Sequence, residues 1–309
     1  MPKIHVILNP ASAGGKTGRR QRKILSAICT RFGTEYRLSV TRKPLDATES
    51  TRTAIRDGAE LIIAVGGDGT IQEVVNGFFS NGLPLNPSCI LGIISSGTGH
   101  GFAQSLGLPS DIEQQVDVIC DGRLRAIDVG RVAFSDSHEE RRSRYFVNEC
   151  QVGFGAAVVQ SVQSRRKLAG GLLAFGSSTL INAFRHRSQT LVITLDRVFE
   201  ITQALVGLAI ANGAYTGGGM NLAPRAEVDD GLLDILLIHE QSILERIRNF
   251  PKIYTGKHIE LEGFSYYQAG EIAVSSTEKV LLAADGELLG STPCRVEVLP
   301  QALQIKSIG

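Results

Sequence analysis

Short apolar runs alternate with helical patterns over the first part of the chain. Residues 4–8, 61–65 and 89–94 are apolar runs of strand length, and residues 47–57 and 71–79 follow a helical pattern. Uninterrupted apolar runs are typical of strands that are buried on both faces. Repeated strand–turn–helix units therefore predict a three-layer α/β/α domain with a mainly parallel sheet.

The pattern changes after Asp128. Strand patterns separated by turn signals then dominate, at residues 145–151, 189–195, 205–211, 232–238, 259–266, 271–275 and 280–284. These segments predict a mostly antiparallel β-sandwich domain. A long helical insertion is expected at about residues 156–187, and the charged residues 135–144 predict an exposed loop near the domain boundary.

The length of 309 residues fits two domains of ordinary size. We place them at residues 1–130 and 131–299, on either side of the change in pattern. The last residues, about 300–309, include apolar side chains and can pack back onto the first domain.

Composition and charge narrow the class of protein. Lys and Arg number 32 against 31 Asp and Glu, and the formal charge of +1 disfavours a general nucleic-acid binder. With 43% hydrophobic and 20% charged residues, the chain is globular rather than disordered. The five cysteines are scattered without a CxxC pair, which disfavours disulfides and zinc sites. The apolar runs are too short to cross a bilayer, so we expect a soluble cytoplasmic protein.

Three glycine-rich turns follow strands that are predicted in the first domain. In an open parallel sheet, such turns line the crevice at the carboxyl ends of the strands, where ligands bind. The first turn, residues 9–17, nearly matches a Walker A loop, but Pro10 stands where that motif needs its first glycine. It can equally be an ordinary strand-to-helix connection. The third turn, residues 95–101, supplies further backbone donors and hydroxyl groups.

The second turn, Gly-Gly-Asp-Gly-Thr at residues 66–70, is the most specific phosphate-binding signal. Its glycines let the backbone approach a phosphate, and the helix that follows offers free N–H groups. Asp68 can hold Mg²⁺ directly or through water. Thr70 can cap the helix or contact phosphate, and Glu73 can complete a capping box. The alternative is a glycine-rich turn with a purely structural role.

These turns resemble the diacylglycerol kinase catalytic-domain family, which includes soluble bacterial lipid kinases and the sphingosine and ceramide kinases. The matching motifs are Asn-Pro at 9–10, Gly-Gly at 14–15, Gly-Gly-Asp-Gly-Thr at 66–70, Ser-Gly-Thr-Gly at 96–99, Asn-x-x-x-x-Gly-Phe at 148–154, Asn-Gly at 212–213, Gly-Gly-Gly-Met at 217–220, Pro224, Asp-Asp-Gly-Leu-Leu-Asp at 229–234, Asp-Gly-Glu at 285–287 and the tail at 299–305. The resemblance covers nearly the whole chain in order.

The resemblance implies ATP in the crevice, a lipid hydroxyl as acceptor and a requirement for Mg²⁺. By position, it implies Glu287 as the general base, with Asp68 and Asp128 as acidic residues at or near the active site. The nucleotide contacts that it implies are Asn9, Thr41, Gly66, Gly67, Asp68, Gly69, Thr70, Ile71, Gln72, Glu73, Gly97 and Thr98. It also implies a structural Mg²⁺ held by backbone oxygens of Glu227 and Leu232 and by the carboxylate of Asp230.

The residues themselves leave two of these roles open. Glu287 follows an Asp-Gly pair between two predicted strands, so it can be a base in the interdomain cleft or part of a hairpin tip. Residues 229–231, Asp-Asp-Gly, can form an oxygen cage for a cation or an ordinary solvated turn.

One departure from the family's pattern concerns the acceptor. The family's third turn usually continues Gly-Asn-Asp, whereas this chain has Gly99-His100-Gly101. Gly101 thus lacks a carboxylate that often joins the acidic network, which argues against diacylglycerol as the acceptor more than against kinase activity. His100 can instead be an ordinary structural histidine.

The helical insertion has basic residues at both ends of an apolar stretch. Arg165-Arg166-Lys167 precede residues 168–184, and Arg185-His186-Arg187 follow them. Basic residues that flank an apolar helix suit reversible contact with anionic lipid. A core helix with solvated charged ends is the alternative.

We therefore expect an ATP- and Mg²⁺-dependent lipid kinase that phosphorylates a hydroxyl of diacylglycerol, a sphingoid or a related lipid. Its expected partner is a lipid at the inner membrane surface, reached transiently; a homodimer is an option, and nucleic acid is not expected. One alternative is a kinase for a soluble acceptor, similar to NAD kinase, although residues 96–102 lack the Asn-x-Gly-x-Leu-Gly-Phe segment of that family. The other is a nucleotide or lipid sensor without catalytic activity.

Overall fold

The computed structural model describes residues 3–97, 99–136, 139–165 and 187–308. The strands in these ranges are β1 (Ile4–Leu8), β2 (Tyr36–Val40), β3 (Leu61–Gly66), β4 (Phe79–Ser80), β5 (Leu83–Pro84), β6 (Ile90–Ser95), β7 (Arg123–Ser135), β8 (Arg141–Phe146), β9 (Glu149–Gly153), β10 (Gln189–Leu195), β11 (Phe199–Ala211), β12 (Tyr215–Thr216), β13 (Met220–Asn221), β14 (Leu233–His239), β15 (Phe264–Ala269), β16 (Glu271–Ser275), β17 (Leu281–Ala284) and β18 (Glu287–Ser307). The helices are α1 (Ser12–Phe32), α2 (Asp46–Arg56), α3 (Asp68–Phe78), α4 (Gly101–Ser105), α5 (Ile112–Asp121), α6 (Phe154–Arg165) and α7 (Ile243–Tyr254), with a 3₁₀ turn at Lys257–Glu260. None of the helices in these ranges is long and apolar enough to cross a lipid bilayer.

The first half of the chain folds around a parallel sheet in the order β2-β1-β3-β6. Successive side chains of β3 pack into two different hydrophobic cores, one on each face of the sheet. Ile62 packs with apolar residues of α2 and α3, whereas Ile63 packs with apolar residues of α1 and α5. Because the sheet is covered on both faces, the prediction of a three-layer α/β/α domain is confirmed.

The second half is mostly antiparallel, as the sequence predicts. Its strands follow the order β15-β14-β11-β10-β16-β18, and each neighbouring pair is antiparallel. Strand β9 pairs antiparallel with both β11 and β17. A separate core of fully buried residues lies among these strands, including Val152, Ile210 and Leu282.

Three predictions for this half are wrong. The single strand predicted at residues 145–151 is two strands, because β8 ends at Phe146 and β9 begins at Glu149 after a bend. Much of the exposed loop predicted at residues 135–144 belongs to a hairpin, in which β8 pairs with β7 and Arg141 lies opposite Ser135. The ladder uses backbone groups alone, so exposed charged side chains do not prevent it. The strand predicted at residues 259–266 begins only at Phe264, since the preceding residues form the 3₁₀ turn, where buried His258 bonds the Leu222 carbonyl.

Strands β7 and β18 run through both halves of the molecule. They pair antiparallel from Ser135 opposite Ser291 to Arg123 opposite Ser307, with irregularities in register. Near its end, β18 also pairs in parallel with β6 through residues 304 and 305. Because β18 begins at Glu287, the strand that closes the first sheet starts at the candidate base.

Candidate active site

The second glycine-rich turn joins β3 to α3, with Gly67 as the N-cap residue of that helix. A Cβ atom on Gly97, in the third turn, would lie 2.7 Å from the Cα atom of Gly67, so the two turns touch there. A Cβ atom on Gly69 would meet no atom within 4 Å. The contact between the turns therefore accounts for two glycines, and the backbone around Asp68 and Gly69 is left open at a helix N-terminus, where anions bind.

Thr70 ties the first two turns together. Its Oγ1 accepts a hydrogen bond from Asn9 Nδ2 at 3.0 Å and lies 3.2 Å from Ser12 Oγ. The same oxygen lies 2.4 Å from where a Cβ atom on Gly66 would be, so the Thr70 side chain needs a glycine there. The predicted capping role of Thr70 is wrong, because α3 begins at Asp68 and the buried Thr70 lies inside the helix.

Other predicted nucleotide contacts lie around α3. Glu73 Oε2 accepts a hydrogen bond from the N–H of Ala47 in α2 at 3.3 Å, so the predicted capping box is wrong. Burial raises the pKa of Glu73. Ile71 is fully buried in the core, which leaves only its backbone for contact with a nucleotide. Thr41 follows β2 and donates its N–H to the Leu8 carbonyl at 2.9 Å.

Asp68 reaches from the second turn to the start of α4. Its two carboxylate oxygens accept hydrogen bonds from the N–H groups of Gly101 and Phe102, each at 3.3 Å. His100 is the N-cap residue of α4 in a left-handed conformation, and its Nδ1 lies 2.8 Å from Ser95 Oγ. These contacts fit the structural alternative for His100.

The position of Gly101 is crowded by the second half of the chain. A Cβ atom there would lie 3.0 Å from the Tyr215 carbonyl oxygen and 3.1 Å from Asn148 Nδ2. Asn148 Nδ2 itself donates to the Tyr215 carbonyl. The absence of a side chain at residue 101 therefore lets the loop around β12 pack against α4.

Asp285 holds the turn that carries Glu287. Its carboxylate is partly buried and accepts hydrogen bonds from the N–H groups of Val147, Asn148 and Glu149 at 2.9–3.1 Å. Its own N–H donates to the Glu149 carbonyl at 2.9 Å. Burial raises the pKa of Asp285 to about 7; the three hydrogen bonds oppose that rise, and the negative charge of Asp68 adds to it.

Glu287 lies where the second half of the chain meets α3. Residues 285 and 286 both have positive φ and connect β17 to β18 as a two-residue hairpin, so the hairpin alternative describes the backbone correctly. The Glu287 side chain is 39% exposed. Its Oε2 accepts a hydrogen bond from Gln72 Nε2 at 3.2 Å, and its Oε1 lies 3.7 Å from a guanidinium nitrogen of Arg144. Gln72 and Asp68 are one helical turn apart on α3. The helix that begins at the phosphate-binding turn therefore also contacts Glu287.

Glu149 is a buried carboxylate in the same region that sequence reasoning missed. One oxygen accepts a hydrogen bond from the Thr216 hydroxyl, and Oε2 is buried with no hydrogen-bond partner among the described residues. Burial raises the pKa of Glu149 to about 7; hydrogen bonds from Thr216 and Gln151 oppose this, and the charges of Asp285 and Asp68 add to it. The sequence did offer a signal for this residue, because Glu149 is a carboxylate at the start of a strand whose other residues are uncharged.

Asp128 binds two backbone segments at the junction of the two halves. It is fully buried, and its oxygens accept hydrogen bonds from the N–H groups of Gly231 and Gln301, each at 2.7 Å. Burial raises the pKa of Asp128, and these two hydrogen bonds oppose the rise. Its contacts are those of a residue that positions a loop, and its catalytic role stays a prediction.

The predicted metal loop follows β13 and leads into β14. Arg125 holds Asp229 with two hydrogen bonds of 2.7 Å, whereas Asp230 is exposed and accepts one from its own loop, from the Leu232 N–H at 2.9 Å. In the described ranges, no three His, Cys, Asp or Glu side chains converge to hold a metal ion. A Mg²⁺ here would depend on one carboxylate and on backbone oxygens such as those of Glu227 and Leu232, ligands that suit this ion.

Two predicted features lie outside the described residues. Thr98, in the third turn, is one, and the apolar stretch of the insertion at residues 168–184, with the basic residues 166–167 and 185–186 at its ends, is the other. Among the other predicted nucleotide contacts, the touching turns and the hydrogen bonds of Thr70 bring together Asn9, Gly66, Gly67, Thr70 and Gly97.

Two family models match the chain, one in each half. The diacylglycerol kinase catalytic domain matches residues 3–132. The YegS C-terminal NAD kinase beta sandwich-like domain matches residues 148–307.

Named relatives agree with these matches, and solved structures share the fold. A diacylglycerol kinase of Bacillus subtilis is 31% identical over 95% of this chain and 92% of its own length. One of Mycobacterium tuberculosis is 27% identical over 98% of this chain and 94% of its own length. A crystal structure of a diacylglycerol kinase from Bacillus anthracis has a TM-score of 0.73 at 23% identity, covering 99% of this chain and 97% of that one. Yeast NADH kinase complexed with NADH shares the fold, with a TM-score of 0.52 at 12% identity over 99% of this chain and 83% of that one.

Proposed function

Because this chain belongs to the diacylglycerol kinase family and is a kinase, we propose that it transfers the γ-phosphoryl group of ATP to a lipid hydroxyl, with Glu287 as the general base. One observation carries the proposal. Glu287, from the second half, accepts a hydrogen bond from Gln72 on α3, the helix that begins at the glycine-rich turn. A carboxylate is thereby held beside the part of the first half that suits phosphate.

The nucleotide side of the site is built from backbone. At the start of α3, the N–H groups of Thr70 and Ile71 bond to the Gly67 carbonyl. Those of Asp68 and Gly69 come before the first helical hydrogen bonds and can bind phosphate oxygens. Gly69 keeps this approach free of side chains. Hydrogen bonds of Thr70 with Asn9 and Ser12 hold the second glycine-rich turn against the first one.

Phosphoryl transfer depends mainly on positioning and on neutralising charge. The acceptor oxygen forms a bond to the γ-phosphorus as the bond to the bridging oxygen of ADP breaks, and the hydroxyl proton passes to Glu287. Mg²⁺, when bound, neutralises phosphate charge. Among the described residues, each Asp68 oxygen accepts one long hydrogen bond, so this carboxylate can also serve a hydrated cation. The exposed Asp230 would hold the separate structural ion.

We also propose that the acceptor comes from a membrane surface, which the enzyme reaches transiently from the cytoplasm, alone or as a homodimer. Support comes from the relatives of Bacillus subtilis and Mycobacterium tuberculosis, which are named diacylglycerol kinases. Gly101 argues for a wider range of acceptors than diacylglycerol alone. A soluble acceptor such as NAD is the second candidate, favoured only by the fold shared with yeast NADH kinase.

The test is transfer of label from ATP to diacylglycerol, monoacylglycerol, sphingosine, ceramide and phosphatidylglycerol in mixed micelles, and to NAD. We expect a labelled lipid that Glu287→Gln no longer forms. Glu297→Gln is the matched control, since Glu297 lies on the same strand and pairs with Arg131. Label on NAD alone would replace the lipid by a soluble acceptor. Binding of ATP without label on any acceptor would favour a sensor.

A further inference from the structure

A polar cleft of about 280 Å³ lies between α2 and β8, and one of its lining residues, Arg144, contacts Glu287. Arg52 and Arg56 line it from the end of α2, and Arg144 lines it from β8. Arg52 and Arg56 are four residues apart, so they lie on the same face of the helix. The topology therefore brings three guanidinium groups, from two halves of the chain, to one cleft.

The three arginines carry more charge than their carboxylate partners neutralise. Arg52 pairs with Glu49 at 3.1 Å and also donates to the Asn76 carbonyl at 3.4 Å. Arg144 lies 3.7 Å from Glu287, a distance at which the pair is loose. Arg56 is exposed and forms no ion pair with any residue that the structure describes. Helix C-termini account for Arg52, which donates to a carbonyl near the end of α3, and for Arg56 in the last turn of α2, but not for Arg144.

The rest of the lining suits a compact polar group rather than an acyl chain. Ser80, Asn81 and Ser143 contribute hydroxyl and amide groups. The aromatic residues Phe79 and Tyr145 are buried and stack on each other at 4.6 Å, so they form the floor of the cleft. Guanidinium groups bind phosphate through paired hydrogen bonds, which makes a phosphate ester the ligand that this lining fits.

We propose that this arginine cleft binds the phosphate group of a phospholipid acceptor while a hydroxyl of the same headgroup faces Glu287. The inference rests on the proposed function, because Glu287 as the base is what makes the neighbouring cleft an acceptor site. Arg144 connects the two, since it lines the cleft and contacts Glu287. A phosphate in the cleft would engage Arg144 and free the Glu287 carboxylate for the acceptor hydroxyl. The preferred acceptor is thus a phospholipid with a free headgroup hydroxyl.

The kinetic test compares phosphatidylglycerol with diacylglycerol of the same acyl chains in neutral mixed micelles. Arg56→Gln and Arg52→Gln should each raise the ratio of KM for phosphatidylglycerol to KM for diacylglycerol about tenfold, as expected for loss of a charged hydrogen bond. Arg123→Gln is the matched control, because Arg123 is exposed and has no ion pair in the described ranges. A ratio unchanged from wild type in both cleft variants would overturn the proposal.

Two additions identify the source of the phosphate. Inorganic phosphate should compete with phosphatidylglycerol in wild type and lose this effect in Arg56→Gln; competition that the variant retains would contradict the cleft as a phosphate site. Phosphatidic acid is then added to micelles of diacylglycerol. If it stimulated turnover in wild type but not in Arg56→Gln, the phosphate would belong to a neighbouring lipid, and its assignment to the acceptor would be wrong.

A binding measurement separates this inference from the proposed function. Calorimetry with dihexanoyl phosphatidylglycerol below its micellar concentration, and with dihexanoylglycerol as the neutral control, needs no turnover. We expect binding of the phospholipid that Arg56→Gln weakens about tenfold. Such binding without turnover of any lipid would remove the kinase assignment and keep the cleft. Turnover with equal binding to wild type and Arg56→Gln would do the reverse.

Discussion

The hairpin that carries Glu287 and the loop that carries Asp230 are built alike but face different surroundings. In each, an aspartate accepts hydrogen bonds from backbone N–H groups and fixes the segment: Asp285, partly buried, for the hairpin, and Asp128, fully buried, for the loop. In each, a second acid that is more open to solvent lies close by. Glu287 contacts Gln72 on α3, whereas Asp230 bonds within its own loop. Asp285 and Asp128 thus hold the backbone of their segments in place. The chemical roles of Glu287 and Asp230 then depend on the groups that each of them contacts.

The largest expected effect is a difference in kcat between a substitution near the hairpin and one in the loop of Asp230. The hairpin lies near Asp68, whose charge acts on Asp285. Asp68→Asn should therefore lower kcat at least ~100-fold, as expected when charge and metal positioning are lost at a phosphoryl-transfer site. Asp230→Asn should lower kcat less than about threefold, because its loop is a structural feature. Steady-state kinetics at saturating Mg²⁺ measures both, and equal losses would end the distinction.

Substitutions of Asp285 and Asp128 should differ in their effect on turnover more than in their effect on stability. Asp285→Asn and Asp128→Asn each place an amide against backbone donors, which should cost about 1–3 kcal/mol of unfolding free energy. Only Asp285→Asn loosens the turn that carries Glu287. Because a small displacement of a reacting group slows the reaction strongly, we expect a roughly tenfold loss of kcat in Asp285→Asn. Urea unfolding and kinetics on the same samples measure both effects. A greater loss of kcat in Asp128→Asn would give Asp128 the catalytic role.

A smaller effect concerns the pH dependence of stability near the hairpin. Because burial raises the pKa of Glu149 to about 7, the folded protein holds a proton that the unfolded chain releases above its ordinary pKa of 4.5. This carboxyl therefore favours folding at low pH, and its contribution is lost as the pH rises from about 4.5 to about 7. Glu149→Gln should be more stable than wild type at pH 8, by on the order of 2 kcal/mol, and little changed at pH 4.5.

Unfolding by urea at the two pH values tests this prediction, with Glu297→Gln as the control on an ion-paired surface carboxylate. Glu149→Gln keeps an oxygen that can accept from Thr216, so its packing should be preserved. The same stability difference from wild type at both pH values would show that Glu149 does not titrate in this range.

The smallest effect tests the metal at the loop. If Asp230 and the neighbouring carbonyls hold Mg²⁺, millimolar Mg²⁺ should raise Tm by about 2–4 °C, as expected when an ion binds only the folded state. Asp230→Asn should lose this shift, and Glu240→Gln, which changes an exposed acid beyond β14, should keep it. A thermal scan with and without Mg²⁺ that showed no shift in wild type would make the loop an ordinary solvated turn.

The sequence predicted the parts of the molecule whose pattern is local. Residues 61–65 had to be a buried strand because both faces are apolar, and the glycines at 66–67 and 97 marked turns that touch. Features that depend on distant partners were missed or misassigned. Glu149 gains its importance from Thr216 and Asp285, far along the chain, and β8 exists because β7 offers it a ladder despite its charged residues.

The capping roles of Thr70 and Glu73 failed for a similar reason. Both fit a local motif, but α3 begins at Asp68, and each side chain finds a partner on another element: Asn9 for Thr70 and Ala47 for Glu73. Local motifs compete with tertiary contacts, which are decided only when the elements pack.

The most direct test of the account is the rate of the chemical step in Glu287→Gln. With an accepted lipid and saturating labelled ATP, single-turnover kinetics measures phosphoryl transfer separately from binding and release. We predict a loss of at least ~100-fold in this rate, with KM for ATP near the wild-type value and Glu297→Gln unaffected. A single-turnover rate close to wild type would contradict Glu287 as the base and, with it, the proposed mechanism.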